Sequence, residues 1–64
     1  MAMTLKALRI NSQMKQVEAA EKLKISVETL SNWENGKTFP DVMQIRKIED
    51  LYGVSYQDII FLPQ

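Results

Sequence analysis

Val27, Glu28, Ser31 and Asn32 recur three and four residues apart in the stretch Val27–Glu34, so on a helix they share one face. Their side chains are short and end in a carboxylate, a hydroxyl, an amide or a small apolar group. Such groups can read base edges in a DNA major groove: an amide pairs bidentately with adenine, a carboxylate accepts from cytosine, and an apolar group meets the thymine methyl. A polar outer face is also what any short surface helix presents to water. The face alone therefore leaves recognition and solvation open.

A reading face needs a support, and the flanking residues predict one. Leu30 and Trp33 are three apart and turn inward together. Ser26 is placed to cap this helix by accepting from the N–H of Glu28 or Thr29, and Asn35-Gly36 closes it, with glycine where a left-handed backbone is required. Upstream, Gln16–Lys24 carries Val17, Ala19, Ala20 and Leu23 at helical spacing. Only Lys24-Ile25-Ser26 separates the two, the short connection of a helix-turn-helix running from Gln16 to Asn35. Ala19, Ala20, Leu23, Ile25, Leu30 and Trp33 are the expected contacts between them, and the small Ala20 permits close approach.

Leu5–Ile10 reads as a first helix ended by Asn11, Ser12 and Gln13. A fourth helix follows Pro40, which suits a first helical turn, and its apolar stripe is Val42, Ile45, Ile48, Leu51 and Tyr52. Gly53 ends it, with Val54 set for the contact that accompanies a glycine cap. Ser55 and Asp58 resemble a capping box opening a short fifth helix through Ile60. The expected fold is all-α, a compact bundle of five short helices in a single domain over residues 1–64, with its core at about 5–60.

Composition excludes several functions. In 64 residues there is no cysteine and no histidine, which rules out disulfides and removes the two commonest zinc ligands. No His base, Cys nucleophile or glycine-rich phosphate loop is present, so neither an enzyme nor a bound metal or cofactor is expected. No apolar run reaches the about 20 residues of a membrane span, and no secretory signal is visible, giving a cytoplasmic expectation. Eight basic and eight acidic residues cancel. Six of the basic ones (Lys6, Arg9, Lys15, Lys22, Lys24, Lys37) lie in residues 1–37 against four Glu. That is a weak asymmetry, which a mixed solvated surface explains about as well.

The stretch from Gln16 to Lys37, with its string Ser31-Asn32-Trp33-Glu34-Asn35-Gly36-Lys37, then Pro40 and Ile48 through Ser55, resembles the lambda-repressor-like helix-turn-helix family, also called the Cro/C1 or xenobiotic-response-element (XRE) type. The resemblance covers about Leu5 to Ile60. It implies a bundle of four or five helices with the third in the major groove of a double-stranded DNA operator, often as a homodimer, and thus a transcriptional regulator, with repressor the expected role. Carried over, the base-facing residues are Val27, Glu28 and Asn32, with Ser31 at the margin. Gln16 and Lys37 match phosphate-contacting positions, and Thr29 and Asn35 rank behind them. A helix N-terminus such as that at Gln16 has the unpaired N–H groups and dipole end that favour an anion.

Arg9 and Glu34 match a structural ion pair of the family, expected here to be largely exposed and worth about 0 to 1 kcal/mol. Lys24 stands where the family usually has glycine, at a cost of about 1 kcal/mol in a left-handed turn. Lys15 replaces the usual cap of the second helix, and its charge suits a phosphate contact instead. Glu28 is repelled by phosphates unless a cytosine amino group meets it. Glu28 and the neutral net charge thus keep a second function in view, a protein-interaction module of the same fold with little DNA affinity. The apolar tail Ile59-Ile60-Phe61-Leu62-Pro63 fits that module, core packing or a dimer seam.

Overall fold

Thr4 begins the helical part of the chain: its hydroxyl accepts from the Ala7 N–H at 3.1 Å and opens α1, Leu5–Asn11. The computed structural model describes residues 2–61, so Leu62 and Pro63 of the apolar tail lie outside the described residues. Three more helices follow: α2 (Gln16–Leu23), α3 (Val27–Glu34) and α4 (Val42–Tyr52). Lys15 precedes α2 without a side-chain cap, whereas Ser26 accepts from the Thr29 N–H at 3.1 Å to start α3.

Lys24 closes α2 in the left-handed conformation, with φ 60° and ψ 43°. Gly36, at φ 75°, and Gly53, at φ 67°, fill comparable positions after α3 and α4. Glycine takes this backbone without a steric penalty, and lysine does not. The turn is kept because Ile25, the next residue, packs against the core and its N–H donates to the Ala20 carbonyl at 3.0 Å.

The core consists of Leu5, Leu8, Ala19, Ala20, Leu23, Leu30, Trp33, Ile48 and Ile59. Ala20 is 1% exposed, and its small side chain lets α2 and α3 meet closely. Two residues read as core face outward: Val17 is 62% exposed and Val42 is 70% exposed. Both stand near the start of their helices, and Val42 lies six residues from Ile48, about 240° around the helix. The buried part of the α4 stripe narrows to Ile48, with Ile45, Leu51 and Tyr52 partly covered.

Pro40 does not enter the first turn of α4. Asp41 is the cap: its carboxylate accepts from the Gln44 N–H at 2.8 Å, and the Gln44 side chain accepts from the Asp41 N–H at 2.9 Å.

The expected fifth helix is replaced by one 3-10 turn, Tyr56–Asp58, and a short strand, β2 (Ile59–Ile60). β2 runs parallel to β1 (Met3–Thr4), with Met3 opposite Ile59 and Thr4 opposite Ile60. Ser55 caps no backbone group; its hydroxyl donates to the Asp58 carboxylate at 3.2 Å. The Tyr56 N–H donates instead to Glu49 of α4 at 2.7 Å. Two β-branched residues then favour an extended chain over another helical turn, burying Ile59 and joining the chain ends.

Candidate nucleic-acid interface

α3 has two unlike faces. Leu30 and Trp33 are buried against α2 and the rest of the core, while Val27, Glu28 and Asn35 are exposed and Thr29, Ser31 and Asn32 half-buried. The Asn32 amide makes no hydrogen bond among the described residues, so its donor and acceptor edges are both available. The Asn32 backbone carbonyl is occupied, accepting from the Lys37 N–H at 2.9 Å and so folding the Gly36–Lys37 loop back on the helix end. The Asn35 amide donates to the Ser31 hydroxyl oxygen at 3.3 Å, which leaves the Ser31 proton for another acceptor. Thr29 is more committed, because its hydroxyl lies 2.8 Å from that of Ser26 in a shared hydrogen bond at the helix start.

The orientation of α3 is held by a polar clamp. The Arg9 guanidinium donates from Nε to Glu34 Oε2 at 2.8 Å and from Nη2 to Oε1 at 3.2 Å. A third N–H, on Nη1, donates to the Met14 carbonyl at 3.0 Å. The Gln16 amide donates to Glu34 Oε1 at 3.1 Å. A carboxylate only accepts, so the nitrogen side of Gln16 must face it. The buried Arg9–Glu34 pair thus ties together the end of α1, the turn before α2, the first residue of α2 and the last residue of α3.

This pair is not the exposed bridge expected. The side chains are 11% exposed for Arg9 and 3% for Glu34. The hydrogen bond that Arg9 donates to Glu34 raises the Arg9 pKa above its ordinary value, against the opposing effect of burial, and its charge is secure. Beside the pair, burial and then the Glu34 charge push the Tyr52 phenol up to about 12. Its hydroxyl is buried and has no hydrogen-bond partner among the described residues.

The clamp also sorts the candidate phosphate contacts. Lys15 and Gln16 at the start of α2 are drawn to the C-terminal end of α3, where Asn35 and Lys37 follow Glu34. Thr29 stands apart, in the first turn of α3. Gln16 has one amide N–H committed to Glu34, leaving the second and its backbone N–H. Nothing in its residue type signalled that role, since a glutamine opening a helix fits an anion contact equally well. The contact with Glu34 exists only once α1, α2 and α3 are assembled.

A family model described as helix-turn-helix matches residues 5–59. No curated protein and no solved structure matches the chain.

Proposed function

The chain belongs to the Cro/C1-type (XRE) helix-turn-helix family, a family of DNA-binding transcription regulators, and on that premise we propose that it binds a double-stranded operator as a homodimeric repressor, with α3 in the major groove. The observation that carries this reading is the outer face of α3, where Asn32 keeps a free amide beside exposed Val27 and Glu28 on a helix clamped at its far end. Asn32 reads adenine, Val27 meets a thymine methyl, and Glu28 accepts from a cytosine amino group, with Ser31 at the margin. Lys15, the N-terminus of α2 with the free amide hydrogen of Gln16, Asn35 and Lys37 flank that face as phosphate contacts, and Thr29 is a lesser one.

Rigid support is what such a reader requires, because base contacts discriminate only when the helix enters the groove in one orientation. The chain has no net charge, so its sequence-independent affinity for phosphates is low and discrimination falls mainly to the base contacts.

Selection of binding sites from random duplexes, followed by affinity measurements across a salt series, tests the proposal. The expected product is a pseudo-palindrome with half-sites about 34 Å apart. Asn32→Ala relaxes one base position by about 1 to 3 kcal/mol, whereas Lys37→Ala weakens all sequences alike and lowers the salt slope by about one. No enriched site from the selection defeats the proposal and favours the protein-interaction module instead.

A further inference from the structure

Tyr52 closes α4 and packs against the core, yet its hydroxyl is buried without a hydrogen-bond partner, the single side-chain nitrogen or oxygen in that state among the described residues. Such a group has given up water and received nothing in exchange. Phenylalanine fills the same space without that cost. Burial and the Glu34 charge raise the pKa of the phenol, and the Arg9 charge opposes them, as expected of a hydroxyl beside both members of the clamp.

The clamp has an acceptor position to spare. Glu34 Oε1 accepts twice, from Arg9 Nη2 at 3.2 Å and from the Gln16 amide at 3.1 Å, whereas Oε2 accepts from Arg9 Nε alone among the described residues, at 2.8 Å. Each carboxylate oxygen has room for two donors. Arg9 also spends an N–H on the Met14 carbonyl. Around this 3% exposed carboxylate, the Tyr52 O–H is the buried donor left unspent.

We propose that Tyr52 is a positioning residue for α3, its hydroxyl a reserve donor that closes onto the Glu34 carboxylate when Gln16 lets go of it. One Gln16 amide hydrogen faces Glu34, and in the proposed function the other faces a phosphate. A single nitrogen then serves two anions, and the phosphate draws it away from a bond that is already 3.1 Å long. Glu34 loses a donor in the interior just as α3 enters the groove. The Tyr52 hydroxyl replaces it, so the carboxylate stays satisfied and α3 keeps its orientation. The phosphate step rests on the proposed function, whereas the relation between Tyr52 and Gln16 belongs to the free chain.

A double-mutant cycle on the full chain without DNA, followed by urea denaturation, reads that relation. In the unsubstituted chain, Tyr52→Phe leaves the unfolding constant unchanged or slightly lower. In a Gln16→Met background the hydroxyl is already in use, so the same Tyr52→Phe raises the unfolding constant about tenfold. Equal effects in the two backgrounds mean that Tyr52 only fills space, and overturn the reserve donor.

On a selected operator, Tyr52→Phe alone lowers affinity about tenfold and leaves the salt slope as it was, because the hydroxyl acts through Glu34 and touches no phosphate. Unchanged affinity, or a loss accompanied by a lower salt slope, overturns the positioning role. Failure of this role and of DNA reading are distinguishable. A coupled cycle without any selected site keeps the reserve donor and removes the operator reading, while a selected site bound equally well by Tyr52→Phe does the reverse.

Discussion

Two sides of this small domain invert the usual arrangement of polar and apolar groups. Between α1, α2 and α3 the chain buries a guanidinium and a carboxylate, with Gln16 and a backbone carbonyl completing their hydrogen bonds. Along α4 and the chain end it leaves Phe39, Val42 and Tyr56 in solvent. Buried charge is tolerated only when its partners are fixed, so the first side holds α3 in one orientation. Exposed apolar surface has no such requirement. The contrast teaches that the buried polar clamp and the exposed apolar surface lie on different faces, which leaves the outer surface of α3 free of both.

The sharpest way to break the contrast is Arg9→Ala. It strands the Glu34 carboxylate in the interior, and a loss of about 3 to 5 kcal/mol is expected by urea denaturation. For a domain this small, that approaches the whole stability. A loss no larger than that of a surface substitution would show that the clamp does not hold the fold. Gln16→Met keeps the chain length but removes one hydrogen bond to the same carboxylate, with an expected cost of about 1.5 to 3 kcal/mol by the same measurement.

Tyr52 gives a smaller effect, visible in alkali. Its pKa rises from 10.0 in the unfolded chain to about 12 in the folded one. The folded protein therefore keeps a proton that the unfolded chain releases. This contribution is complete below about pH 10 and is lost as the pH climbs toward about 12. Because much of the side chain remains near solvent, the loss is on the order of 1 kcal/mol. Tyr52→Phe abolishes this component of the alkaline denaturation curve. At neutral pH it leaves stability unchanged or slightly higher, since it removes a buried hydroxyl without a partner.

The smallest expected change lies on the other side. Val42→Asp alters monomer stability by no more than about 0.5 kcal/mol, as measured at low protein concentration. A large loss would mean that Val42 belongs to the core after all.

Much of the support for α3 was legible because it rests on local rules. Ser26 as a cap, Gly36 after α3, and Leu30 with Trp33 turned inward all follow from neighbours within four residues, whereas the left-handed turn at Lys24 came from the resemblance; all are present in the structure. The pairing of Arg9 with Glu34 came from resemblance, whereas its burial did not. The sequence does not disclose how deeply two residues far apart in the chain will lie once three helices close over them.

The opposite failure occurred at the chain end. Ser55 and Asp58 satisfy a local helix-start pattern, but Glu49 captures the Tyr56 N–H and the edge of Met3–Thr4 pairs with Ile59–Ile60. A two-residue strand has no periodicity to read, and its partner lies at the other end of the chain.

By itself, then, the sequence determined the helix-turn-helix, its caps and the identity of the residues on its outer face, since helical periodicity and turn chemistry operate over a few bonds. Only the tertiary structure decided that Glu34 is the buried hub, that Gln16 serves it, that Val17 and Val42 stay outside, and that the last described segment is a strand. Those outcomes depend on which surfaces exclude water when distant segments meet, and that is a property of the assembled chain.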